Sequence, residues 1–243
     1  MTAPGCHRPG ACPVPGPSGV DLRHVRTVAL GPGTGYHTAS WARHWPSLFN
    51  TSGRGDARFS PLPTPKGPVL TLYGARSQTA ALLETVFHDV HGSASRVVTR
   101  MDLAGRNLVH FELPERLVLY DLRDGALARL ALQRRQLVST SAAHYPCTRE
   151  WAEVLHGRRG VGSARPVGIV WHSRVAELAK AGSALLGDLL QGQNEEVFVL
   201  FGDRLPTVDR GPYSATQSVS DLSSRKALPL VTAVAEQLGA TLA

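Results

Sequence analysis

Strand-like and helix-like segments follow one another along this chain in an irregular order, and that order constrains the fold most. Residues 25–30, 69–73, 95–101, 108–113, 117–122, 167–171 and 197–201 are short runs rich in Val and Leu, as strands are. Between them lie helical patterns. Ser77 is placed to cap a helix over residues 78–90, where Leu83, Val86, Phe87 and Val90 recur at helical spacing and bury one face. Shorter helices are expected over 39–49, 126–132 and 148–155, the last with Thr148 as its cap, and residues 228–238 form a closing helix. Strict alternation would build a doubly wound parallel sheet. Here the elements neither alternate strictly nor segregate, so the expected class is α+β with a mixed sheet.

Hydrophobic residues make up 42% of the 243 and charged residues 19%, a globular balance that suits one large domain. Residues 1–20 hold five prolines and four glycines and bury little apolar surface, so they are expected to form a flexible tail. Residues 21–243 are expected to form a single domain. Trp41 and Trp45 would share one face of the helix at 39–49 and pack in the core. No run of 18 apolar residues occurs, so no transmembrane helix is expected. The first residues lack the basic-then-apolar order of a signal peptide, which points to the cytoplasm. The three cysteines, Cys6, Cys12 and Cys147, are too few and odd in number for a disulfide framework. Cys6, His7 and Cys12 are metal-binding residue types, but no fourth ligand follows at a familiar spacing, so no metal is assigned.

The formal net charge is +7, carried mostly by arginines scattered along the chain; only Lys66, Lys180 and Lys226 are lysines. With 6% aromatic residues there are few platforms for stacking bases. A non-catalytic nucleic-acid-binding protein is therefore an alternative, while an anionic small-molecule pocket or an acidic protein partner fits the scatter better. There is no GxSxG, GxxxxGK[ST], HExxH or CxxC. Gly31, Gly33 and Gly35 form a GxGxG, but Pro32 sits inside it and no clear helix opens after it, so no dinucleotide fingerprint is assigned.

The informative segment spans residues 55–90. Arg58 precedes Phe59, Tyr73 ends a strand, and Glu84 lies mid-helix beside the apolar stripe, between Leu83 and Val86. Much later, residues 168–174 read GIVWHSR and carry Ser173. Singly, each has an ordinary alternative: a surface ion pair for Arg58, a core edge for Tyr73, a solvated helix position for Glu84 and a turn for Ser173. A carboxylate pressed against an apolar stripe, however, needs a partner or a function. The order RF…LYGA…AALLET…GIVWHSR also resembles the RES domain, named for its Arg, Glu and Ser. The likeness covers roughly residues 45–205 and leaves residues 1–44 without a counterpart.

That resemblance implies an ADP-ribosyltransferase-like fold and a toxin that consumes NAD by cleaving the nicotinamide–ribose bond. It assigns the family's Arg, Tyr, Glu and Ser to Arg58, Tyr73, Glu84 and Ser173. Nicotinamide leaves as a neutral base and the ribose becomes oxocarbenium-like, so a carboxylate at Glu84 suits the chemistry. Arg58 matches the pyrophosphate, Ser173 offers a second phosphate or acceptor contact, and Tyr73 offers a ring for nicotinamide and a hydroxyl for the ribose. NAD is substrate, and no cofactor is required. The acceptor is water or inorganic phosphate; a macromolecular acceptor, as in an ADP-ribosyltransferase, is the main alternative. The resemblance further implies an Xre-like antitoxin, meeting a cleft to which Arg76 and Arg174 add positive charge. Homo-oligomerisation is left open.

Overall fold

In the computed structural model of the chain the described residues are 6–7, 9–32, 35–45, 48–88, 90, 95–113, 115–158, 165–173, 196–205 and 215–243. An eight-stranded sheet runs through them: β1 (Arg26–Leu30), β2 (Gly35–Trp41), β3 (Thr71–Ala75), β5 (Arg106–Glu112), β6 (Leu117–Asp121), β7 (Gly168–His172), β8 (Glu196–Phe201) and β9 (Ala215–Val219). The spatial order is β1-β6-β7-β8-β3-β2-β5-β9. β6 and β7 pair in parallel, and the other neighbours pair antiparallel. Two short strands, β4 (Val97–Val98) and β10 (Thr241–Leu242), pair in parallel apart from the large sheet. The helices are α1 (Gln78–Leu83), α2 (Arg100–Leu103), α3 (Asp124–Arg129), α4 (Tyr145–Gly157) and α5 (Leu228–Gln237). The fold is α+β around a large mixed sheet, as the irregular element order implies. No described helix is long and apolar enough to cross a membrane.

Both faces of the central strands are covered, which is why β7 and β8 read as unbroken apolar runs. Side chains on a strand alternate between faces. Ile169, Trp171, Val197, Val199 and Phe201 enter one core with α1, α4 and α5 residues; Val170, Phe198 and Leu200 enter a second core with Tyr36, Phe49 and Phe111. Gly74 on β3 makes the second core possible, because any Cβ there would fall inside the Phe198 ring.

Several local expectations give way to tertiary demands. Residues 39–41 extend β2, whose pairing with β5 runs without a break from Gly35↔Glu112 to Trp41↔Arg106; only Ala42–His44 turn helically. The strand expected over 95–101 is reduced to Val97–Val98. Thr99 then opens α2, its backbone N–H donating to Asp102 Oδ2 at 2.8 Å in a capping box. Thr148 lies inside α4 rather than at its cap.

Residues 1–20, expected as a flexible tail, include a docked segment. Val14 and Pro17 are buried, and the Trp151 indole N–H on α4 donates to the Pro15 carbonyl at 2.7 Å. Four prolines, Pro9, Pro13, Pro15 and Pro17, limit the freedom this segment loses on docking, which composition alone does not reveal.

β2 and β5 also set His37 opposite His110, with ring centroids 5.1 Å apart. Burial, and then the charge of His110, lower the pKa of His37; burial likewise lowers that of His156. A group protonated more readily in the unfolded chain gives stability present above its unfolded pKa and lost as pH falls below it. Thermal stability should therefore decline as pH drops through about 6.5, the ordinary histidine value. His37→Gln should flatten that decline in melting curves recorded across this range; an unchanged slope would contradict the assignment.

Candidate active site

α1 begins where Ser77 Oγ accepts the Ala80 N–H at 3.0 Å, an N-cap the sequence signals. It stops after six residues rather than continuing to Val90. The N–H groups of Thr85, Val86 and Phe87 converge on the Leu82 carbonyl, and the Thr85 hydroxyl donates to Ala81 O at 2.6 Å. Glu84 is thus the C-terminal cap of α1 and not a mid-helix residue. Its carboxylate meets the end of β7, where Ser173 is 1% exposed and donates its hydroxyl to Glu84 Oε1 at 2.6 Å. Arg134 fixes that strand end by donating to the carbonyls of His172 and Ser173 at 3.0 and 3.4 Å.

Tyr73, on β3 across the intervening β8, stands edge-on to Trp171 at 6.1 Å between centroids. Its hydroxyl accepts the Phe59 backbone N–H at 3.1 Å and hydrogen-bonds Ser60. Burial pushes the phenol up to about 12 against the pull of these two bonds, so it keeps its proton at neutral pH.

Arg58 is 6% exposed. Nη1 donates to Leu137 O at 3.2 Å and Thr140 Oγ1 at 2.7 Å; Nη2 donates to Thr140 O at 3.1 Å. The guanidinium lies 5.1 Å from the Tyr145 ring centroid, and Thr148 donates to the Arg58 carbonyl from within α4. The surface ion-pair alternative is thereby replaced by a buried clamp on residues 137–140. Its hydrogen-bond partners among the described residues are neutral. Arg58→Lys keeps the charge but loses the fork. It should cost about 2 kcal/mol of stability, the order of a lost hydrogen bond to a buried charged group, read as a lower urea midpoint at unchanged slope.

Arg58, Tyr73 and Glu84 line one cleft of about 300 Å³, with Trp41, Tyr145 and Trp171 among its walls. Ser173 reaches it through Glu84. The cleft also holds residues that sequence patterns did not single out. Arg106 lines it half-buried, its guanidinium 4.2 Å from the Trp41 ring centroid, and its buried Nε has no hydrogen-bond partner among the described residues. Burial lowers the Arg106 pKa. Trp41 therefore forms cleft wall and not simply core. The pairing Trp41↔Arg106 across β2 and β5 creates this contact, and nothing in either local sequence announces it. Arg76 instead bonds Glu196 at 3.1 Å and lies over the Tyr36 ring, so it is not among the cleft's lining residues. Arg174 falls outside the described residues.

Fold and site together define a class: an α+β protein whose mixed sheet carries a serine-bound carboxylate in a cleft walled by arginines and aromatic rings. A family model described as the RES domain matches residues 29–186, well over half of the sequence, and the chain belongs to the RES-domain family. The match begins upstream of residue 45 and takes in the last two residues of β1 and all of β2. A crystal structure of the M. tuberculosis MbcT–MbcA toxin–antitoxin complex is similar with a TM-score of 0.47 and 14% identity, over 82% of this chain and 89% of that one. Comparison with curated proteins finds no significant match.

Proposed function

We propose that this chain is an NAD-consuming toxin with an ADP-ribosyltransferase-like arrangement, cleaving the bond between nicotinamide and ribose. The observation that carries this reading is the Glu84 carboxylate, held by Ser173 at 2.6 Å in the same cleft as Arg58 and Tyr73. As the glycosidic bond breaks, positive charge develops on the ribose, and a fixed carboxylate stabilises it without reorganising. Nicotinamide departs neutral and needs no general acid. Tyr73, still protonated, offers its ring to nicotinamide and its hydroxyl to the ribose.

The phosphate contacts are shared. Arg58 spends three of its five N–H donors on Leu137 and Thr140 and contributes charge with the remainder. Arg106, stacked on Trp41 with its Nε unsatisfied, is a second pyrophosphate ligand. Ser173 acts by positioning Glu84 and not as a phosphate contact. A cleft of this volume encloses one end of a dinucleotide and leaves the other across open surface.

Incubation of purified protein with NAD tests the reading. Nicotinamide should appear in step with NAD loss. Product resolved with and without inorganic phosphate identifies water or phosphate as acceptor. Radiolabel from the adenylate half should stay in small molecules; label in protein or nucleic acid would favour macromolecular ADP-ribosylation. Arg58→Lys should raise KM for NAD. An enzyme that empties the cytoplasmic NAD pool must be restrained, and the RES resemblance points to a small Xre-like antitoxin that covers the cleft. Expression alone should stop growth and lower cellular NAD, and a co-expressed antitoxin should restore both. NAD stable in the presence of folded protein would overturn the proposal.

A further inference from the structure

All three cysteines of the chain arrive at one place, although Cys147 is 135 residues from Cys12. Cys12 Sγ lies 3.5 Å from Cys147 Sγ, and Cys6 Sγ lies 3.7 Å from His144 Nδ1. The ligand atoms of Cys6, Cys12 and His144 all lie within 4.8 Å of one another. His144 and Cys147 stand three residues apart at the start of α4, so a single helical turn presents both. The other two ligands come from the docked N-terminal segment. The His7 N–H donates to Ala143 O at 3.2 Å, which brings Cys6 beside His144. The Trp151–Pro15 hydrogen bond secures the segment on the far side of Cys12.

We propose that Cys6, Cys12, His144 and Cys147 form a structural zinc site. Tetrahedral zinc bonds sulfur at about 2.3 Å and imidazole nitrogen at about 2.0–2.1 Å. Those lengths place neighbouring sulfurs about 3.8 Å apart and sulfur and nitrogen about 3.6 Å apart. The separations of 3.5 and 3.7 Å match this with shifts of a few tenths of an ångström, while Cys147 Sγ, close to Cys12 but outside the 4.8 Å cluster of Cys6, Cys12 and His144, moves inward to complete the tetrahedron. Soft sulfur donors with one imidazole select zinc over magnesium or calcium. On binding, the three thiols release their protons to solvent, and three thiolates with a neutral imidazole leave the site with a charge of about −1. A Cys12–Cys147 disulfide is the rival chemistry. It would bring those sulfurs to about 2.05 Å and make no use of Cys6 or His144.

The site would give the proline-rich segment an anchor beyond Val14 and Pro17. It would also steady Tyr145, which lies between His144 and Cys147 and stacks on Arg58 in the cleft. The sequence obscures it because the two ligand pairs are so far apart, and each pair alone is unremarkable.

The test uses the full chain, purified under reducing conditions from zinc-supplemented medium. Elemental analysis should find about one zinc ion per chain. Chelator should remove it and lower the melting temperature. Cobalt(II) added to the stripped protein should give intense visible bands of a tetrahedral site with thiolate charge transfer. Cys6→Ser, at a half-buried position, should weaken cobalt binding by more than about tenfold, a loss that even an outer-shell change commonly causes. Should that variant unfold, the cobalt spectrum of the unsubstituted chain still decides. Reduced protein with neither zinc nor a tetrahedral cobalt spectrum overturns the proposal. So does a chain whose mass without reductant shows a Cys12–Cys147 disulfide and which takes up no cobalt after reduction.

Discussion

Glu84→Gln should abolish NAD cleavage while leaving the chain folded. The amide keeps the size of the carboxylate and can still accept the Ser173 hydroxyl, so the hydrogen bond at 2.6 Å and the end of α1 should survive. What is lost is a negative charge facing the oxocarbenium-like ribose. Removing one preorganised electrostatic contact to a transition state commonly costs about 10²–10³ in rate, and a full charge in a partly buried cleft belongs at the upper end. The loss should fall on kcat with little change in KM, since the charge acts where the transition state differs from bound NAD. Ser173→Ala should lower kcat less, because it frees the carboxylate without removing it. The checks are initial rates of nicotinamide release and a melting curve for each variant. Near-native turnover by a folded Glu84→Gln variant would sink the proposed mechanism and return Glu84 to a structural role.

The second large effect concerns stability. A chain starting at Asp21 would lose Val14 and Pro17 from the core and uncover Trp151. Burying a side chain of valine size contributes about 1.5–3 kcal/mol, and the indole hydrogen bond about 1 kcal/mol. The sum is about 3 kcal/mol. For a chain of this length that lowers Tm by roughly 6–12 °C. Measured in chelator, for both the truncated and the full chain, the difference reports packing without any contribution from bound metal. Equal melting temperatures would mean the segment docks without stabilising, as its Pro- and Gly-rich composition suggests on its own.

Local order was largely legible in the amino-acid sequence. β6, β7 and β8 are runs of Val, Leu, Ile and Phe bounded by turn residues, and buried strands need nothing more to declare themselves. Ser77 announced α1 correctly. The end of α1 was not legible, because the apolar spacing of Leu83, Val86, Phe87 and Val90 suits a tight multiple turn as well as a helix. β2 was hidden in part by helical-looking spacing of Trp41 and Trp45, and its full seven-residue pairing with β5 overrode that preference. β9, with its partly exposed Ala215–Val219, carries too weak a pattern to signal a strand.

The sequence by itself determined the mixed α+β class, and its RES pattern named Arg58, Tyr73, Glu84 and Ser173. It did so through residue types and local periodicity, which are properties of neighbours along the chain. Only the tertiary structure decided what these residues touch. Glu84 and Ser173 are 89 positions apart and meet because β8 lies between β3 and β7 in the sheet. Arg106 joins the cleft through its register opposite Trp41, and Cys147 meets Cys12 because α4 receives the N-terminal segment. Strand order and register arise from how the whole set of apolar faces is buried at once. A contact between distant residues therefore leaves no mark in either one's surroundings along the chain.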